Sequence, residues 1–112
     1  MTFDELEATV AKWHSDRDLI EWSTDNVQGH KLLEEVKELL EDINHNLAAT
    51  NDPKYYKKVD LRDELGDCLV VLINIATRNN FNLYEALEYS FAKIKDRKGK
   101  MVDGLFVKEG DL

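Results

Sequence analysis

The chain has one cysteine, one proline and five glycines in 112 residues. A single thiol excludes an internal disulfide and suits a reducing cytoplasm. Cys68 reads as a small buried apolar residue rather than a reactive thiol. So little proline and glycine leaves no long disordered linker, and the length fits one domain, residues 1–112, with a core that needs no staple. No apolar run exceeds the six residues Cys68–Ile73, against about 20 for a membrane span. Met1-Thr2-Phe3-Asp4-Glu5 carries no basic stretch followed by an apolar one, so no secretory signal is read. Positive charge is scarce too: 15 Lys and Arg against 23 Asp and Glu give a net charge of −8. That balance argues against nucleic acid and anionic membranes as partners, because both need a basic surface. There is also no P-loop, Gly-rich dinucleotide turn, zinc-type Cys/His spacing or nucleophile elbow. If phosphate is handled here, a metal ion must do it.

What is present is helical periodicity. Phe3, Leu6, Val10 and Trp13 predict a first helix over about 2–15, followed by an irregular connection from Asp16 to Val27 that contains Trp22 and the turn-prone Ser23-Thr24-Asp25-Asn26. Leu32, Leu33, Val36, Leu39, Leu40, Ile43 and Leu47 form the stripe of a second helix over about 27–47. Asp52 and Pro53 suggest the cap and first turn of a third helix reaching about Arg78, with Leu61, Leu65, Cys68, Leu69, Leu72, Ile75 and Ala76 as its inner face. Val70, Val71 and Ile73 lie off that face, so this helix is apolar nearly all round and belongs at the centre of the bundle or in a subunit interface. Asn79-Asn80 closes it. Asn82, with Glu85 three residues on, opens a fourth helix carrying Leu83, Leu87, Phe91 and Ile94. Residues 101–107 read as a short hairpin around Asp103-Gly104. The fold class is all-α, a four-helix bundle-like domain with a short C-terminal β-hairpin.

The chemistry lies in the acidic residues. Glu34-Glu35-x-x-Glu38 on the second helix and Glu64-x-x-Asp67 on the third each set two carboxylates three residues apart, on one helix surface. Side by side, the two helices would gather four carboxylates, and an all-oxygen cluster suits a hard divalent ion such as Mg²⁺ or Mn²⁺. A Glu-rich helix is more often a solvated face. Against that, Glu35, Glu38, Glu64 and Asp67 border the apolar stripes, where bundle sites are built. Glu64 and Asp67 have Cys68 and Val71, not cations, four residues on, and Asn74 adds a polar group on the same face. Spacing alone leaves the two readings open. Di-iron bundles use Glu-x-x-His pairs, and His14, His30 and His45 fall outside such pairing, which favours Mg²⁺ over redox iron.

The string Glu34-Glu35-x-x-Glu38, a gap, then Glu64-x-x-Asp67 resembles the signature of the MazG-like all-α nucleoside triphosphate pyrophosphohydrolases. Trp13-His14-x-x-Arg17-x-Leu19, Gln28-x-x-Lys31 and Arg97-Lys98-Gly99-Lys100-Met101 with Asp103-Gly104 and Phe106-Val107-Lys108 are similar to a small phage and bacterial branch of that family. The resemblance implies that Glu35, Glu38, Glu64 and Asp67 hold Mg²⁺, with Mn²⁺ able to replace it, and that Glu34 beside them is a water-orienting base or an outer ligand. It implies that His14 faces the nucleobase, with Trp13 or Trp22 stacking on it, and it places Lys31, Asn74, Lys93 and Arg97 on the substrate side. Asp96 departs from the pattern, in which asparagine commonly precedes the arginine. The bare residues read otherwise at several of these positions. Trp13 continues an apolar stripe, while Lys93 and Arg97 could serve a helix C-terminus. Lys54, Lys57 and Lys58 read as solvated, in a loop near enough to act as a lid.

The expected activity is hydrolysis of a nucleoside triphosphate to the monophosphate and pyrophosphate in the cytoplasm, by a homodimer or homotetramer. Two other classes fit the same residues: a non-catalytic helical interaction module, and a metal-dependent hydrolase of another phosphorylated small molecule.

Overall fold

A computed structural model describes residues 1–47, 50–55 and 58–112, with the side chains of 46 and 47 excepted. Four helices run Phe3–Asp16 (α1), Asp25–Leu47 (α2), Arg62–Arg78 (α3) and Leu83–Ile94 (α4), followed by strands Gly99–Val102 (β1) and Leu105–Lys108 (β2). This is the all-α architecture with a two-stranded antiparallel sheet.

Local chemistry explains most of the boundaries. Thr2 and Glu5 form a capping box at the start of α1. The Thr24 hydroxyl accepts from the Val27 N–H, so α2 begins two residues earlier than its apolar stripe suggests. α1 and α3 both end in the Schellman pattern, with Leu19 N–H to His14 O and Asp18 N–H to Ser15 O in one, and Phe81 N–H to Ala76 O and Asn80 N–H to Thr77 O in the other. Asp18 and Asn80 take the left-handed position, at φ 62° and 64°, which short polar side chains tolerate. Asn82 caps α4 through the Glu85 N–H. Asp103 and Gly104, both at positive φ, make the type I′-like turn that matches strand twist.

The start of the third helix is a correction. Asp52 does cap through the Lys54 N–H, but it heads only the 3-10 turn Pro53–Tyr55. α3 starts at Arg62, where Asp60 accepts from the Arg62 N–H and holds its guanidinium. Residues 58–61, just before it, are not helical.

α3 is central, packing against α2, α1 and α4. Its buried apolar residues are Cys68, Val71, Ile73 and Ala76, so Val71 and Ile73 are inside although they lie off the stripe read as its core face. Leu65 and Leu69, on that stripe, are exposed. The same holds for Leu33, Val36 and Leu40 of α2, for Phe3 and Leu6 of α1, and for Leu87, Phe91 and Ile94 of α4. Leu47, expected at the end of the α2 stripe, has its side chain outside the described residues. The radius of gyration is 17.0 Å, against about 13 Å for a compact chain of this length. The exposed surface, 8982 Å², exceeds that of a compact monomer by about 2,600 Å². The periodicity marks apolar faces that a single chain does not cover.

On α1 the two buried side chains are instead polar, Glu7 and His14, two turns apart. Glu7 Oε1 accepts the Leu83 N–H at 2.6 Å, tying the first turn of α4 to α1, while its Oε2 is buried without a hydrogen-bond partner among the described residues. Glu7→Ala should cost about 1–3 kcal/mol by orphaning that N–H, whereas Glu7→Gln keeps the acceptor and should retain most of the stability. Thermal melts followed by circular dichroism test this, and equal losses in the two variants would refute the clasp.

A candidate metal centre beside a mixed cleft

α2 lies along α3, and this packing brings Glu35, Glu38 and Asp67 together: one carboxylate oxygen from each lies within 4.8 Å of the others. Glu35 is buried, with its side chain 11% exposed, whereas Glu38 is at the surface. Glu64 stands one helical turn before Asp67, and its Oε2 is buried without a hydrogen-bond partner among the described residues. Glu64 is not one of the three that converge, and its orphan oxygen is a fourth carboxylate donor on the Asp67 helix. All four donors are hard oxygens, so the residues fit Mg²⁺ or Mn²⁺.

The electrostatics record the crowding. Burial pushes the Asp67 carboxyl above its ordinary value, with repulsion from Asp63 and Glu35 adding to it. Glu38 is also raised, chiefly by the charge of Glu35 and then by a hydrogen bond with it. Cys68, beneath the cluster, has its thiol pushed up by burial and by the same carboxylates, so it stays protonated and inert. Among the described residues the cation at the cluster is Lys31, whose ammonium lies 3.2 Å from Glu35 Oε1 and 3.6 Å from Glu34 Oε2.

Glu35 and Asp67 of the cluster also line a cleft of about 410 Å³, together with Lys31, Trp13, His14, Leu19, Val27, Gln28, Val70 and Val71. Such a volume, part apolar and part polar, is that of a small-molecule site. A larger cleft of about 770 Å³ lies between α1, α3 and α4, but its lining (Phe3, Leu69, Leu72, Leu83, Leu87 and neighbours) is nearly all apolar. It is the uncovered face already described, away from the acids.

His14 is held firmly. Its Nε2 faces the Val70 carbonyl at 2.9 Å, which can only accept, so Nε2 carries the proton. Nδ1 is then the acceptor for the Asn74 amide at 3.3 Å. With both nitrogens engaged inside the protein, His14 offers the cleft a ring surface and no free hydrogen-bonding atom. Asn74 is fully buried. Its amide also donates to the Leu19 carbonyl, and its Oδ1 has no partner among the described residues. Arg78 donates to the carbonyls of Ile20 and Leu19 and pairs with Asp25, which Asn79 also contacts. Two side chains of α3, Asn74 and Arg78, thus latch the 17–24 connection and set Leu19 in the cleft wall.

The other residues implied by the resemblance divide between the cleft and the rest of the surface. Trp13 lines the cleft at 45% exposure, with the Arg17 guanidinium 4.3 Å from its ring. Trp22, 83% exposed, is not in the wall. Lys93 sits over Tyr89 on α4, and Arg97 lines a separate hollow under the hairpin. Glu34 is exposed beside Lys31. Lys54 and Lys58 are exposed, and Lys57 lies outside the described residues. Gln28 was not singled out as a site residue. It is buried, donates to Ser23 Oγ at 3.0 Å and faces the cleft. The spacing 28, 31, 35, 38 already put it on the face of the acids.

The profile of the MazG nucleotide pyrophosphohydrolase domain matches residues 24–102, which span α2, α3, α4 and β1. The chain belongs to that family. It is also 35% identical over 78 residues to an uncharacterized 18.2 kDa protein from the rep-hol intergenic region of Haemophilus phage HP1. That match takes in 70% of this chain but 42% of the phage protein, so the chain spans less than half of that relative's length. No solved structure gives a significant match.

A cluster under self-repulsion has a pH signature. Because the Asp67 carboxyl is raised in the fold, its share of stability is full below the ordinary carboxylate value. It is lost as pH rises through the folded value. In chelator, Asp67→Asn should therefore melt a few degrees above the unsubstituted protein at neutral pH, with the gap closing near about pH 4. A variant that melts lower at neutral pH would contradict this account.

Proposed function

We propose that the protein hydrolyses nucleoside triphosphates to the monophosphate and pyrophosphate, using Mg²⁺, or Mn²⁺ in its place, held by Glu35, Glu38, Asp67 and Glu64. Family membership supports the reaction class. The observation that carries the reading is that Glu35 and Asp67 of the acid cluster also line the mixed cleft. A triphosphate has the matching asymmetry, a charged tail and a flat, largely apolar head.

When bound, the divalent ion would supply charge neutralisation on the phosphate oxygens and a lower pKa for coordinated water. The chain itself supplies the rest. Trp13, Leu19 and Val27 offer apolar contact to the base, with His14 as a rigid wall and Gln28 as a polar group beside it. Lys31 stands at the phosphate end. Water adding at the α-phosphorus displaces pyrophosphate, and its proton needs an acceptor; the exposed Glu34 carboxylate beside Lys31 is the candidate that the family resemblance supports.

Pyrophosphate release across a panel of ribo- and deoxynucleoside triphosphates should require Mg²⁺, stop with chelator and return with Mn²⁺. Asp67→Ala should lower turnover by about two orders of magnitude or more while leaving the helical content unchanged. Near-normal release by Asp67→Ala would refute the metal assignment. Activity confined to non-nucleotide pyrophosphates would place the protein in another hydrolase class.

The same reading includes a homo-oligomer, a dimer or tetramer, formed by single-domain chains in the cytoplasm. The excess surface of about 2,600 Å² per chain is more than the roughly 800 Å² each partner contributes to a standard interface, and falls in the obligate range. Sedimentation at micromolar concentration should show two or four chains. A well-folded monomer would refute the assembly.

A further inference from the structure

We propose that Lys31 is an exchangeable cation of the metal centre: without metal its ammonium neutralises Glu35 and Glu34, and on loading it yields Glu35 and turns to the triphosphate. The inference rests on the reading of Glu35, Glu38 and Asp67 as ligands of a divalent ion.

An ordinary helix-surface ion pair is present for comparison. Lys12 and Asp16 have the same order and spacing, and their side chains are 74% and 53% exposed. Such a pair contributes little and competes with nothing. Lys31 differs on three counts. Its partner oxygen, Glu35 Oε1, belongs to the buried member of the cluster. Its own side chain remains 47% exposed, so the ammonium can leave without disturbing the backbone. It also lines the same cleft as Glu35 and Asp67.

Glu35, Glu38 and Asp67 crowd three formal negative charges together, and one ammonium offsets only part of that. A divalent ion satisfies the cluster more fully, and it repels an ammonium held on the same carboxylate. Lys31 therefore has to give up Glu35, and its four-carbon stem allows this. A triphosphate tail arriving at the cleft mouth presents the oxygens that the freed ammonium then lacks. Metal and nucleotide each relieve a cost of binding the other, so each should tighten the other's binding by the same factor.

The test is Lys31→Met, which keeps the stem and removes the charge. By calorimetry with Mn²⁺ alone, the nucleotide-free variant should bind the ion several-fold more tightly than the unsubstituted protein. Its KM for the triphosphate that the unsubstituted protein cleaves best should rise many-fold. Lys31→Arg, which retains a cation, should keep the original Mn²⁺ affinity. Mn²⁺ binding that is unchanged or weaker in Lys31→Met, with circular dichroism intact and the unsubstituted protein active, overturns the exchange alone. An unsubstituted protein that binds no Mn²⁺ overturns the metal site and the exchange together.

Discussion

The packing of α2 on α3 sets a conflict that organises the molecule. The contact that buries Cys68 and Val71 also brings Glu35, Glu38 and Asp67 within 4.8 Å of one another. Apolar burial is non-directional and holds the helices together, whereas like charges at that spacing push them apart. The raised Asp67 and Glu38 carboxyls record the opposing forces within one interface. Lys31 relieves part of the repulsion from its own helix, and a divalent ion would relieve more. Stability and binding are thus set by the same few oxygens.

Around that interface the protein uses polar contacts where a larger domain would use apolar ones. Glu7 holds the first turn of α4, His14 bridges to the Val70 carbonyl, and Asn74 and Arg78 hold the carbonyls of the 17–24 connection. Each of these bonds fixes a direction as well as a distance. His14 shows the consequence: with Nε2 donating and Nδ1 accepting, the neutral tautomer is specified and the ring is locked in the cleft wall. The cleft is therefore shaped by main-chain latches on α3, the helix that also carries Glu64 and Asp67.

Much of this was legible in the sequence because it depends on local spacing. The Asn82 cap, the Asn79-Asn80 stop and the Asp103-Gly104 turn each act over one turn of chain, and each appears in the structure; of the two acid pairs, Glu35, Glu38 and Asp67 converge. Asp52 shows the limit of a cap: it supplies one hydrogen bond, to the first turn after Pro53, and does not by itself carry a helix. Glu7 carries no local signal of its role, and His14 is expected to face a nucleobase rather than to bond the main chain, since nothing local announces a partner 76 or 56 residues away. The Leu and Phe stripes were correctly seen as apolar faces, but periodicity does not say which molecule covers them. Lys93 and Arg97 show the converse limit. Their charges suit phosphate, yet α4 and the hairpin carry them outside the wall of the cleft.

The uncovered faces and the acid cluster belong to one argument about α3. The apolar residues buried on it within the chain are Cys68, Val71, Ile73 and Ala76, two of them small. Burying side chains of this size yields only a few kcal/mol, and the repulsion of the cluster is set against it. Leu65 and Leu69, exposed on the same helix, remain available to a second copy, together with Leu33, Val36 and Leu40 of α2. Covering them would load both helices from outside and hold the acid-bearing faces together without adding bulk near the cleft. Assembly would then clamp the α2–α3 contact on which the geometry of Glu35, Glu38 and Asp67 depends. A chain forced to remain single would have the same carboxylates on a looser hinge, and its affinity for a divalent ion would fall although no ligand had been changed.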